Sequence, residues 1–83
     1  MNKVMVQLHI PATGKHYDVL LPLSLSVAQT VKLLDGFFTG LMGGAYLPDE
    51  ETQLCDMETG DIYPLNASVQ SLHLRNGSKL MLI

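Results

Sequence analysis

The residues with the most reactive side chains are few and lie far apart in this sequence. Its single cysteine, Cys55, has no cysteine partner for a disulfide or a metal knuckle, and no neighbouring His or basic residue that would lower its thiol pKa. We therefore expect a buried, unreactive thiol. His9 and His16 flank one predicted hairpin and can face each other across it. Two imidazoles without a third ligand make a poor zinc site, so the sequence predicts no bound metal.

Two other motifs are weak candidates for catalysis or phosphate binding. Six of the eight acids lie between residues 49 and 61, a segment without Lys or Arg, which predicts a negative field at one end of the molecule. This segment is either a solvated loop or a docking surface for a basic partner, because no pocket shields its carboxyl groups for acid–base work. Residues 13–15, Thr-Gly-Lys, lack the upstream glycine and following helix of a phosphate loop. We expect neither an enzyme nor a cofactor.

Length and composition limit the remaining possibilities. The 83 residues fit one domain, 1–83, and 47% hydrophobic with 16% charged residues are typical of a folded chain. The net charge of −3 and the lack of a basic stretch disfavour nucleic-acid binding. No signal peptide is recognisable, and the longest apolar stretch is too short and too interrupted for a membrane span. The expectation is a cytoplasmic protein without membrane insertion.

The elements that position these residues begin with two strands. Val4, Val6, Leu8 and Ile10 alternate with more polar residues, which predicts a strand with one buried face. Residues 11–15 form a predicted turn in which the glycine takes a positive φ. A second alternating strand runs from residue 17 to 23, and Pro22 places it at a sheet edge because proline cannot donate to a ladder.

A helix follows, and its start is marked by Ser26 and Gln29 at the spacing of a capping box. Gly36 and Gly40 weaken the helix, so we expect it to end between Gly36 and Met42. Five residues share one helical face and are expected to pack on the sheet: Val27, Val31, Leu34, Phe38 and Leu41.

The second half of the chain alternates less regularly. After a loop that starts at Gly43, the sequence predicts a strand at 52–57, a turn at 58–61 with Gly60 at positive φ, and a short strand at 62–65 that completes a hairpin. An irregular connection follows, with buried points at Val69, Leu72 and Leu74 and a short helical turn. A tight Asn-Gly turn at 76–77 then leads into a last strand at 79–83. The predicted order is ββαββ, an α+β fold with one main helix.

This order, with several short motifs, resembles the β-grasp of ubiquitin-like proteins. The motifs are Thr-Gly-Lys at 13–15, the helix face that starts at Val27, and Leu-x-x-Gly-x-x-Leu-x-Leu at 74–82. More narrowly, Tyr-Asp-Val-x-x-Pro at 17–22 and Leu-Arg-Asn-Gly at 74–77 resemble the EsaB/YukD-type ubiquitin-like proteins of bacterial type VII secretion in Gram-positive bacteria. The glycine-rich stretch 36–44 departs from that family. The resemblance implies a mixed sheet with the first strand between the second and the last.

In such a sheet, alternation predicts which side chains face away from the helix. Contiguous exposed apolar patches often mark interaction sites, although scattered exposed apolar residues are also normal. Leu33 and Phe37 form a second candidate surface on the helix flank, with residues 46 and 47 of the following loop. The outer face is expected to present an apolar row, which Cys55 can join: Met5, Leu20, Met81 and Ile83.

The resemblance implies a non-catalytic adaptor that binds components of a type VII secretion system, including membrane-bound ones. The sequence ends in an apolar strand without the glycine-ended tail of conjugated modifiers and sulfur carriers, so we expect action by non-covalent binding. Two alternatives stay open: a carrier or modifier that acts by covalent attachment, and a homodimeric interaction module or regulator without a role in secretion. The expected state is a monomer or a weak homodimer.

Overall fold

The computed structural model describes residues 2–42 and 52–83. Within these ranges, four strands form one sheet in the order β2-β1-β4-β3, and one α-helix lies between the second and third strands in sequence. Strands β1 and β4 are parallel, and the other two pairs are antiparallel. The predicted ββαββ order and mixed sheet are therefore confirmed. The strands are β1 (Lys3–Ile10), β2 (Lys15–Pro22), β3 (Leu54–Asp56) and β4 (Ser78–Leu82), and the helix is α1 (Val27–Met42).

The first hairpin follows the alternation in the sequence. The predicted inward residues of β1 are buried, and Val4 pairs with Leu21 of β2 while Leu8 pairs with Tyr17. Gly14 has φ +70° in the connecting turn, as predicted, because a left-handed conformation there costs glycine nothing. Strand β2 lies at the edge of the sheet, as Pro22 predicts.

The capping box at the start of α1 is present. The Oγ of Ser26 accepts a hydrogen bond from the Gln29 N–H at 3.1 Å, and the Oε1 of Gln29 accepts one from the Ser26 N–H at 2.9 Å. The helix continues through both glycines to Met42, the far limit of the predicted range. One core prediction is wrong: Leu41 is 56% exposed, because it lies in the last turn, beyond Phe38, which is the last buried residue up to Leu41.

The connection before β4 closes the core against the start of the helix. The carbonyls of Ala67 and Leu65 accept hydrogen bonds from the N–H groups of Val27 and Ala28, which have no partner inside the helix. Val69 is fully buried, and a 3-10 helix spans Gln70–Leu72, in agreement with the predicted helical turn. The segment thus fixes both the helix and the approach to β4.

Strand β3 is shorter than the predicted strand 52–57, and the predicted strand 62–65 does not form. Ile62 makes only an isolated bridge to Cys55. The turn before it is tight because the Oδ1 of Asp56 accepts hydrogen bonds from the N–H groups of Glu58 and Thr59, at 2.7 and 3.2 Å. Gly60 has φ +78°, as predicted. The predicted loop from Gly43 and the acids of 49–51 lie outside the described residues.

Candidate protein-binding surfaces

The outer sheet face does not present the continuous apolar row that the sequence predicts. Met5 and Leu20 are direct cross-strand partners, 36% and 53% exposed. Met81, in contrast, is paired with His9, while the carbonyl of Met5 accepts a hydrogen bond from the Gly77 N–H at 2.8 Å. At about 3.3 Å per residue, Met81 therefore lies roughly 13 Å along the strand from Met5. The expectation that Met81 and Ile83 lie beside Met5 is wrong.

The register of β4 explains this separation. The Asn76 side chain accepts a hydrogen bond from the Met5 N–H at 3.0 Å, and the turn at Gly77 starts β4 beside Met5. Alternation assigns residues to a face but does not set the offset between parallel strands. The outer face consequently carries two apolar groups. One is Met5 with Leu20, and the other lies near the end of β4 with Met81 and Ile83, of which Ile83 is 52% exposed.

The group at the end of β4 continues into a pair of imidazoles. His9 lies between Met81 on β4 and His16 on β2, and the two imidazole rings stack with centroids 4.3 Å apart and an interplanar angle of 28°. The Nδ1 of His9 is buried and makes no hydrogen bond within the described part of the chain. Over residues 2–42 and 52–83, no three His, Cys, Asp or Glu side chains come together as a metal site.

Cys55 does not join the exposed surface. It is 1% exposed, its Sγ lies 3.7 Å from the carbonyl oxygen of Met81, and the chain at Ile62 runs along its other side. Burial raises the pKa of the Cys55 thiol, and the adjacent negative charge of Asp56 raises it further. Both effects favour the unreactive thiol form, in agreement with the sequence-based expectation.

The structure joins Leu20 to the helix flank, which the sequence treats as a separate surface. Leu20, Leu33 and Phe37 are each more than half exposed, at 53%, 54% and 57%. They line one groove of about 370 Å³ between the edge of β2 and the side of α1. Phe38, next to Phe37, packs against the ring of Tyr17 with centroids 5.0 Å apart. The other lining residues are Tyr17, Asp18, Val19 and Leu34.

Two sequence signals indicate the two sides of this groove separately. Pro22 places β2 at an edge, and the spacing of Leu33 and Phe37 by four residues puts both on one side of the helix. What the sequence does not reveal is that this side of α1 faces β2. We call Met5, Leu20, Leu33 and Phe37 together the β2-edge surface.

A second, polar depression of about 250 Å³ lies near the turn after β3, and one of its charged side chains, Asp56, holds that turn. The Asp56 carboxylate holds the turn through the backbone bonds described above, and its Oδ2 lies 3.4 Å from the hydroxyl of Tyr63. The backbone N–H of Arg75 donates a hydrogen bond to the Oγ of Ser78 at 2.9 Å, which holds the turn before β4. The lining therefore combines two carboxylates with two cations, and Asp56 among them has a structural role.

Neither family models nor curated proteins match this sequence. Among solved structures, the fold is similar to a chain of a toluene 4-monooxygenase HD complex, with a TM-score of 0.79, 9% identity and coverage of 96% of this chain and 95% of that chain. It is also similar to the ubiquitin-like domain of the Mycobacterium tuberculosis type VII secretion protein EccD1, with a TM-score of 0.76, 13% identity and coverage of 100% and 99%. The EccD5 ubiquitin-like domain from Mycobacterium xenopi has a TM-score of 0.71, 15% identity and coverage of 100% and 94%. Identities this low show the fold alone, and the chain has the β-grasp fold of ubiquitin-like domains.

Proposed function

We propose that this chain is a non-catalytic ubiquitin-like adaptor of the EsaB/YukD type, which acts in the cytoplasm and binds protein components of a type VII secretion system. Two observations connect it to secretion. The motifs at 17–22 and 74–77 resemble that family, and the fold is similar to ubiquitin-like domains of two type VII secretion proteins. The fold alone does not select for secretion, because a chain of a monooxygenase complex is similar to it as well. The sequence motifs are therefore the more specific of the two observations.

The single observation that supports an adaptor best is the β2-edge surface. Met5, Leu20, Leu33 and Phe37 are large apolar side chains with exposed fractions of 36% to 57%. Leu20 lines one groove with Leu33 and Phe37, and Met5 is the cross-strand partner of Leu20. A concentration of apolar residues at one place favours a binding surface over the scattered exposure found on any monomer. Partner residues that fill the groove would supply most of the affinity.

The test is affinity capture from the native host with paired variants. Met5→Glu combined with Leu20→Glu is expected to keep the fold, measured by circular dichroism, and to lose the captured components of the secretion system. Leu65→Glu is the matched control, because Leu65 is 55% exposed and lies outside the groove. Retention of those components by the paired variant, or capture of a different assembly by the wild type, would overturn the proposal. Capture with the combined variant Met81→Glu and Ile83→Glu measures whether the end of β4 also contributes to binding of the secretion components.

The proposal includes non-covalent action. Ile83 donates a hydrogen bond to the carbonyl of Gln53 at 2.9 Å and accepts one from its N–H at 2.6 Å, so its backbone is held against Gln53 just beyond the β3–β4 pair. Intact-mass measurement of protein purified from the host is expected to show no covalently attached group. An attached group would favour the alternative of a covalent carrier or modifier.

A further inference from the structure

The outer edge of β2 carries backbone groups without partners in the described part of the chain. The Leu23 N–H donates to the carbonyl of Asn2 at 2.8 Å, and antiparallel pairs alternate between bonded and non-bonded. It follows that Val19 and Leu21 direct their backbone groups toward β1. Asp18 and Leu20 direct theirs away from it, and no described strand pairs with that side. This edge can accept one more strand.

The groove determines which side chains such a strand needs. Tyr17 and Val19 lie on the helix face of β2, next to Leu33 and Phe37, whereas Asp18 and Leu20 lie on the outer face. In an added strand, successive side chains alternate between these faces. Residues opposite Tyr17 and Val19 would enter the apolar groove, and the residue opposite Leu20 would extend the apolar contact. These three positions favour aliphatic side chains.

The fourth position is different because it lies opposite Asp18. This carboxylate lines the groove and makes no ion pair or side-chain hydrogen bond with any described residue. The helix side of the groove, Leu33, Leu34 and Phe37, is uncharged. A partner with a Lys or Arg opposite Asp18 would therefore complement the charge, and an acidic residue there would be repelled.

A second copy of this chain fits the same surface less well. Its own β2 would bring another Asp18 carboxylate to the groove, where no described cation lies, and like charges destabilise an interface. Seven residues line the groove, whereas a stable protein interface takes roughly 20 to 30 residues on each side. The groove is the size of a short segment, not of a folded protein.

From these observations we propose that the β2 edge binds an extended peptide segment that adds a strand to the sheet. The segment has a basic residue opposite Asp18, flanked by aliphatic residues that enter the groove beside Leu33 and Phe37. This inference names the partner chemistry of the proposed adaptor and rests on that function for its biological setting. The binding itself needs only the purified chain.

The probe is a fluorescently labelled peptide with the core Leu-Val-Lys-Val-Leu, which presents the same pattern in either strand direction. Binding to the purified protein is measured by fluorescence anisotropy. The peptide with Glu in place of the central Lys is expected to bind roughly two- to fivefold more weakly, as for an exposed charge pair. A peptide with N-methylated backbone nitrogens in the core is expected to bind roughly tenfold more weakly or not at all, because strand addition needs those donors.

Protein variants complete the test. Phe37→Ser is expected to weaken binding roughly tenfold, whereas Leu65→Ser, at a similar exposure elsewhere, leaves it unchanged. Asp18→Lys is expected to reverse the preference so that the Glu peptide binds more tightly, and Asp61→Lys is the charge control outside the groove.

Three results would overturn the proposal: no binding by the Lys peptide, no change of preference in Asp18→Lys, or a dimer in sedimentation that Leu20→Glu dissociates. Peptide binding without capture of secretion components would leave the groove assignment intact and contradict the secretion role. Capture of secretion components without peptide binding would contradict the groove assignment and leave the secretion role intact.

Discussion

The two edges of the sheet differ in length and in what lies beside them. Strand β2 has eight residues, and its outer backbone groups have no partner among the described residues. Strand β3 has three residues, and the following chain runs along its outer side. There the Asp56 N–H donates to the carbonyl of Asp61 at 2.9 Å, and the Tyr63 N–H donates to the carbonyl of Leu54 at 3.0 Å.

This difference indicates that the chain protects one edge and leaves the other open. Short strands and covering chain are common ways in which proteins block unwanted strand addition. The β3 edge has both, and its side chains Leu54 and Cys55 are buried. The β2 edge has neither, and Leu20 on it is exposed. An open edge beside an apolar groove is consistent with a binding role for β2 and a structural role for β3.

The largest expected effect is a difference in the free energy of unfolding between substitutions at the two edges. Leu54→Ala removes a side chain that is 1% exposed, so it should lower the free energy of unfolding by about 2 to 5 kcal/mol. Leu20→Ala, at 53% exposure, should change it by about 0.5 kcal/mol or less. Urea unfolding followed by circular dichroism measures both. Equal losses at the two positions would contradict the division of roles.

Thiol reactivity compares the accessibility of the two edges within one molecule. In the variant Leu20→Cys, the introduced thiol is expected to react with a disulfide reagent at least about a hundredfold faster than Cys55, which reacts only when the β3 edge opens locally. The wild type is the control, because it reports Cys55 alone. Similar rates for the two thiols would show that the covered edge opens readily.

Two Gly→Ala substitutions are expected to have opposite signs. Gly60, at φ +78° in the turn that covers β3, should cost about 1 to 2 kcal/mol when replaced, because alanine is strained in that conformation. Gly36 is helical, and an added Cβ would meet nothing within 4 Å, so its replacement should stabilise the protein by about 0.8 to 1 kcal/mol. Thermal unfolding of the two variants checks the signs. A neutral result at Gly60 would mean that the turn relaxes without strain.

The smallest expected effect is a pH dependence at the covered edge. Burial, followed by the negative charge of Asp56, raises the pKa of Tyr63 from 10.0 to about 12. Between these values the unfolded chain has released the phenol proton and the folded protein retains it, so stability falls as the pH rises through this range. Unfolding midpoints of the wild type and Tyr63→Phe, compared across this range, should show a smaller fall in the variant. If the unfolding midpoints of the two proteins fall equally with pH, Tyr63 is not the source of the pH dependence.

Most of the fold could be predicted because it depends on local signals. Alternation identified the buried face of β1, the capping box at Ser26 identified the start of α1, and glycine identified the positive-φ turns at Gly14 and Gly60. The predictions of secondary structure that are wrong also have a physical cause. Residues 62–65 have an apolar pattern but only the single bridge at Ile62, because a short segment is a strand only if a partner of matching length lies beside it.

The candidate site was predictable only in part. The sequence by itself determined that Met5, Leu20, Leu33 and Phe37 project away from the core, because periodicity alone decides that. The tertiary structure decided which of them lie together. The parallel register of β4 separates Met81 from Met5, and the packing of α1 against β2 brings Leu20 to Phe37. Such contacts join residues distant in sequence, and their geometry depends on the whole core and not on any local pattern.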